Sequence, residues 1–277
     1  TIGTTGRDYS TVALWEADIP ADIVASDESW TGQCYNDSEF TGHFDLAGHT
    51  TDATRFIHLT TGGTESVFDD DTNALTYNQS NGVGFSTGNI AEVQVQAFAT
   101  ISKIQWEFRN TDNYHSGNHL DVKNTGAISR CLLDVDVTEQ GPIFLAGIMD
   151  NTLVIVSRDN ATRNAWITIN VEYGRMVNCG VVIPTGLTNP NTGTAINDSN
   201  HGPTEVDNTY VFGFGSTSWA GTFTDSSYNA TDHSAVEGTN GQTSLTYADQ
   251  FTSTTADFRI KAGADLIDSA NTDASYN

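Results

Sequence analysis

Basic residues are scarce in this chain. Eleven Lys and Arg stand against 35 Asp and Glu, and only Lys103, Lys123 and Lys261 are lysines. The formal net charge of −24 argues against nucleic-acid partners, because phosphate contacts come from Lys and Arg. The same charge repels an anionic membrane. Cysteine is nearly absent. Cys34, Cys131 and Cys179 are too few and too far apart for a disulfide framework or a zinc site. Cys131 and Cys179 lie in apolar segments, where a thiol packs as a small hydrophobe. No apolar run nears the roughly 20 residues of a membrane-spanning helix, so no membrane insertion is expected. There is no Gly-x-Ser-x-Gly elbow and no glycine-rich phosphate loop ahead of a helix. The acid excess is the composition of a soluble surface, with Ca²⁺ held by an acid cluster as the sharper alternative.

What is present is a repeat. Ile101, Ile104, Trp106 and Phe108 recur as Ile128, Cys131, Leu133 and Val135, at an offset of 27 (128 − 101). The run 148–156 (IMDNTLVIV) resembles 176–184 (MVNCGVVIP) at an offset of 28 (176 − 148). The step between Ile128 and Ile148 is 20 (148 − 128). An imperfect period in this range, with one or two strands per repeat, predicts a solenoid in which stacked repeats share one core. Asn151 then aligns with Asn178, and Thr152 with Cys179. A β-sandwich is the competing all-β arrangement.

Around the repeat, Ser10 or Thr11 caps a short helix with Val12, Leu14 and Trp15 on its apolar side, suited to closing the first coil. A second helical turn follows Pro20. Strands are expected over 30–35, 40–46 and 56–59. Residues 62–88 and 187–207 are polar and rich in Gly, Asn and Thr, and read as insertions on the surface. The chain divides into a lead-in and capping helix (1–28), β-helix coils (29–256) and a closing segment (257–277). A chain beginning Thr-Ile-Gly reads as the product of Met removal, with cleavage of a longer precursor as the competing reading.

The closing run Asp257-Phe-Arg-Ile-Lys-Ala-Gly-Ala-Asp-Leu-Ile-Asp-Ser-Ala resembles the last segment of right-handed parallel β-helix proteins of the pectin-lyase-like kind. Gly263 and Asp268 fit that pattern; Ala264-Asp265-Leu266 replace its Ser-Pro-Ala. The opening Asp8-Tyr-Ser-Thr with Trp15-Glu-Ala, and Ser29-Trp-Thr-Gly-Gln-Cys-Tyr-Asn-Asp-Ser-Glu-Phe, resemble the beginnings of uncharacterised β-helix proteins of marine bacteria and their tailed phages. The resemblance implies an all-β, right-handed parallel β-helix solenoid with a short N-terminal capping helix, in which an extended segment lies over the last coil. It also implies a non-enzymatic virion structural protein of a tailed phage, a capsid decoration protein or short spike. Such a protein is expected as a homotrimer that contacts other virion proteins such as the major capsid protein, and host surface polysaccharide is a further partner. The alternatives are a carbohydrate-binding or carbohydrate-cleaving tailspike-like enzyme and a bacterial extracellular or cell-surface β-helix protein.

Candidate chemistry is sparse. Asp134 and Asp136, two apart on one strand, leave the same face and suit a glycoside hydrolase or a cation; alternating Leu-Asp-Val-Asp-Val is equally a half-exposed strand. Asp69, Asp70 and Asp71 are the metal candidates, without the spacing of a calcium loop. Trp166, Tyr173 and Trp219, with Tyr210 and Phe212, are candidates for a sugar-stacking surface; core packing is the competing reading. Arg130, Arg158 and Arg175 recur in successive repeats and either line a face near Asp134 or Asp159 or offset acidic neighbours. His115 and His119 flank a turn, and they, like His43, His49 and His58, read as solvated rather than metal-bound.

Overall fold

The chain winds as an all-β parallel β-helix solenoid with a few short helices. The computed structural model describes residues 1–70, 72–87, 93–109, 120–136, 143–157, 167–187, 193–198, 203–214 and 217–266, without the side chains of Asp136, Ile167 and Thr217. Three parallel sheets form the sides. The first has eight strands, from Trp30–Cys34 to Asp225–Ser227. The second has eight, from Phe40–Thr41 to Ala230–Thr231, and the third six, from Val93–Val95 to Thr217–Ala220. Alternation along each strand sends every second side chain inward. The inward ladder of the first sheet is Leu59, Ile101, Ile128, Met149, Met176 and Val206, all fully buried. That of the third is Val93, Leu120, Ile143, Ile169, Ile196 and Trp219. In-register coils place apolar residues over one another about 4.8 Å apart, so no single coil needs a core of its own.

The register corrects two alignments. Ile128 lies under Met149, not Ile148, so that step is 21 (149 − 128) rather than 20. Met149 lies under Met176 and Leu153 under Gly180, a step of 27 (176 − 149) rather than 28. The pairing of Asn151 with Asn178 follows from the same 27. A one-residue slip normally exchanges the two faces of a strand and is betrayed by polar residues turning inward. Here Val154 faces in while Leu153 and Ile155 face out, and all three are buried. Both faces are apolar, so the pattern carries no such warning.

In six coils the turn from the first sheet to the second is made by one left-handed residue: Lys103, Arg130, Asn151, Asn178, Asn208 and Tyr228, with φ of 63°, 50°, 45°, 54°, 49° and 54°. Asparagine tolerates this region because its side chain bonds locally, and the Asn208 amide donates to the Asn178 side chain, tying two coils together. Lysine, arginine and tyrosine gain no such compensation. Arg130→Asn is therefore expected to raise stability by about 0.5–1 kcal/mol, read from chemical denaturation, even though it gives up the 3.9 Å contact with Asp69.

Helix Val12–Ala17 closes the first coil. The Thr11 hydroxyl accepts from the Leu14 N–H, and Val12 and Trp15 are buried, with the Trp15 ring lying on Gly32. Leu14 is 54% exposed. One position from Trp15 it is turned about 100° away, so it does not share the apolar side expected of it. A second helix, Ile23–Ser26, follows Pro20.

The two polar insertions are in part coil. Residues 62–88 contain the second-sheet strand Gly84–Thr87, with Phe85 beside Trp106 in register. Residues 187–207 contain the third-sheet strand Thr194–Asp198 and the first-sheet strand Glu205–Asp207. A coil needs few inward residues, here Ile196 and Val206, and its outward positions are polar; the Asn197 amide donates to the Asn170 side chain on the neighbouring coil.

The described part of the closing segment, 257–266, packs against the side of the coils. Phe251–Ser253 and Asp257–Ile260 form an antiparallel pair packed on the outer face of the second sheet, where Leu132, Leu153, Ile155, Val182 and Phe212 point outward. An apolar run of this kind needs a cover, and burying it is favourable, which draws the segment to this side of the solenoid. Val67, from the loop after Ile57–Thr61, joins the same cluster. The loop and the closing segment also meet through polar groups. The Leu75 N–H donates to Asp257 Oδ1 (3.1 Å), the Phe258 N–H donates to the Leu75 carbonyl, and Arg259 pairs with the Asp257 carboxylate. Residues from 267 onward, Asp268 among them, lie outside the described residues.

Burial raises the Asp257 carboxyl, but the Arg259 side chain and the Leu75 and Arg259 N–H groups outweigh it and hold it below its ordinary value. Its stabilisation is therefore fully present above the unfolded pKa of about 3.9 and is lost as pH falls through the lower folded value. Asp257→Asn is expected to unfold more easily than the parent at about pH 6, with the difference shrinking as pH falls below about 3.9. Denaturation midpoints across that range measure it.

Candidate functional site

The turn from the third sheet to the first is built on glycine. A Cβ at Gly126 would sit 2.5 Å from the Val95 carbonyl oxygen, one at Gly147 2.4 Å from that of Gly126, and one at Gly174 2.4 Å from that of Leu145. Backbones approach too closely here for any side chain. The corner is therefore concave, and a groove of about 320 Å³ runs along it, lined by residues of successive coils.

Tyr173 stands on its rim in the left-handed region (φ 58°), with 59% of its surface exposed. Ile148, 38% exposed, and Pro203 are the other apolar side chains of the lining. Arg175 Nε donates to Glu205 Oε1 at 2.8 Å, and their strands pair in register. Burial raises the Glu205 carboxyl; Arg175 opposes this, and the hydrogen bond with Asp207 adds to it, leaving it above its ordinary value. Thr204 is fully buried at this corner. Its N–H donates to the Thr224 hydroxyl, which donates to the Thr204 carbonyl, while Thr204 Oγ1 has no hydrogen-bond partner among the described residues. The groove offers a ring face, an aliphatic patch and an ion pair. Glu205 is engaged by Arg175.

Of the other stacking candidates, Trp219 is buried against Phe223, Phe212 is buried under the closing segment, and Tyr210, partly buried, packs there against Phe251. Trp166 lies outside the described residues.

Asp134 faces outward from the second sheet and accepts from the Ser157 hydroxyl. The Asp136 side chain is outside the described residues. In register with Asp134 on the adjoining strand is Glu107, buried, paired with Arg109 and within 3.4 Å of the Ser86 hydroxyl. Sequence reasoning passed over Glu107. The signal was the offset that aligns Ile101 with Ile128, since the same step places Glu107 beside Asp134.

The acid triplet is divided. Asp69 faces Lys103 and Arg130 at 3.7 and 3.9 Å, Asp70 accepts from the Thr72 N–H and hydroxyl, and Asp71 is outside the described residues. Among the described residues no group of three or more His, Cys, Asp or Glu is placed to hold a metal ion. Arg130 and Arg175 offset acids, as one reading had it, but at different corners; Arg158 and Asp159 are outside the described residues, as are His115 and His119. His43 is exposed. His49 and His58 are not the solvated residues expected: His49 Nδ1 lies 3.1 Å from the Pro20 carbonyl and Nε2 3.6 Å from Glu16, and His58, its pKa lowered by burial, lies 2.8 Å from the Ser102 hydroxyl. The Cys131 and Cys179 thiols are buried and pushed up to about 12 by that burial, which leaves them unreactive.

Comparison of the chain with protein families, with curated proteins and with solved structures found no match.

Proposed function

We propose that this chain is a non-enzymatic structural protein of a tailed-phage virion, a capsid decoration protein or short spike that works as a homotrimer. The observation that supports the structural part is the state of its outward acids. Glu107 is held by Arg109, Asp134 by Ser157, Glu205 by Arg175 and Asp257 by Arg259, so these carboxylates serve the scaffold. The phage part rests on the resemblance at the two ends of the chain. The test is mass spectrometry of purified particles from the source culture, with copy number. A simple ratio to the major capsid protein is expected. Absence from particles, with the chain free in the medium, would overturn the virion assignment and favour an extracellular or cell-surface protein.

A carbohydrate-cleaving spike is the second reading, favoured by Glu107 standing in register with Asp134. Unchanged release of reducing sugar ends by a Glu107→Gln, Asp134→Asn double variant would remove it.

A further inference from the structure

We propose that Asn240 is a self-modifying site: its side chain closes on the Gly241 nitrogen, and the isoaspartate that results loosens the end of the coil stack. This goes beyond the structural reading above and does not depend on it.

The corner between the first and second sheets recurs once more past Tyr228. In each coil the corner residue gives its N–H to the residue just before the next corner: Arg130 to the Asp150 carbonyl, Asn151 to Val177, Asn178 to Asp207 and Asn208 to Ser227. By the same rule the Tyr228 N–H goes to the Thr239 carbonyl. Asn240 is therefore the next corner residue, and its φ of 56° matches the others. Thr239 and Gln242, on either side of this corner, bridge Ser227 and Ala230 on the last strands of the first and second sheets. Among the described residues no coil covers this one.

Earlier corners are held from outside. The Asn208 amide donates to the Asn178 side chain, and the Asn151 amide to Asp150. The residue after the corner is tied to the next coil: the Cys131 N–H donates to the Thr152 hydroxyl, and the Thr209 N–H to the Asn229 side chain. At the last corner both restraints are gone. Asn240 is exposed, and neither its side chain nor the Gly241 N–H has a hydrogen-bond partner among the described residues. Glycine also puts no Cβ in the way of an approach to its nitrogen. Asn81, which precedes a glycine too, is placed differently. It is half-buried, ends the short helix Gln79–Asn81, and its carbonyl accepts from the Asn73 amide. Gly82 is pressed on the Val67 backbone, where a Cβ would lie 2.6 Å from the Val67 nitrogen.

In the reaction the Gly241 nitrogen attacks Asn240 Cγ. A C–N bond forms, the bond from Cγ to the amide nitrogen breaks, and ammonia leaves with the proton that the Gly241 nitrogen gives up. Water then opens the five-membered imide at either carbonyl. One opening yields aspartate. The other yields isoaspartate, in which the main chain runs through Cγ and gains one atom. Nothing is oxidised or reduced. The extra atom falls between Thr239 and Gln242, whose carbonyls accept from the Tyr228 and Thr231 N–H groups, so the last coil loses its fit to the strands beneath.

The test is incubation of the whole chain in mildly alkaline and mildly acidic buffer, followed by peptide mass mapping and enzymatic isoaspartate methylation. The mass gain of amide-to-acid conversion is expected at Asn240 before Asn81, and faster in alkali because the attacking nitrogen must lose its proton. The Tyr228 and Thr231 amides of the aged protein are expected to exchange at least about tenfold faster, while that of Ile128 keeps its protection. Asn240→Gly keeps a residue suited to φ 56° and abolishes both changes. Fresh Asn240→Asp adds the charge without the extra atom and keeps the slow exchange. The proposal is overturned if Asn81 reacts first, if the product at Asn240 contains no isoaspartate, if the aged chain keeps its protection at Tyr228 and Thr231, or if fresh Asn240→Asp exchanges as fast as the aged chain.

Discussion

Phe251→Ala is expected to undock the closing segment while the coils stay folded. Phe251 is fully buried, and its ring sits 5.5 Å from that of Tyr210, 5.4 Å from Phe212 and Tyr247 and 6.0 Å from Phe258. Removing a ring from such a cluster costs about 3–5 kcal/mol. The loss falls on a peripheral element. The segment is tied to the coils by few polar contacts, among them Leu75 to Asp257, Tyr247 to the Ile183 carbonyl and Thr185 to Thr254. Elements held this way open locally before the whole molecule unfolds. Amides of Phe251–Ser253 and Asp257–Ile260 are expected to exchange about two to three orders of magnitude faster in the variant, since each factor of ten is about 1.4 kcal/mol. The first-sheet amides of Ile128 and Met149 keep their protection. Uniform acceleration of both sets would mean that the segment and coils unfold as one unit, and the undocking account would fail.

The same cluster shows where sequence reading stops. The inward ladders were legible because like residues recur at a near-constant step, as Ile101 over Ile128 does. The outer apolar face was not. Leu132 and Ile155 alternate with inward residues inside runs that read simply as apolar, and nothing local says that a segment from the far end of the chain covers them. The strands Thr194–Asp198 and Glu205–Asp207 were hidden for the opposite reason: their outward positions are polar, and few inward residues sufficed. Tyr173 was visible as an aromatic, but its exposure follows from the neighbouring glycine corner. That corner is dictated by backbone a full coil back, the Gly126 carbonyl against Gly147 and the Leu145 carbonyl against Gly174, and not by adjacent sequence.

The core itself is most sensitive at Trp106. Its ring stacks 5.4 Å from Phe44 and 4.9 Å from Phe108 and lies 5.7 Å from Phe85. Trp106→Ala is expected to cost about 3–5 kcal/mol, read from chemical denaturation. Trp106→Phe separates two contributions to that figure. The indole N–H is buried and has no acceptor among the described residues, and an unmet buried donor costs about 1–3 kcal/mol. Phenylalanine gives up part of the ring volume but also removes that donor. The two changes oppose each other, so Trp106→Phe is expected to lie within about 1.5 kcal/mol of the parent. A phenylalanine variant as unstable as the alanine one would mean that the indole N–H is satisfied in solution, and that ring volume alone sets stability at this position. The ladder explains why so much rests on one side chain. Trp106 bridges Phe85 on the coil before it and Leu133 on the coil after, so a void there loosens contacts on both sides of the stack.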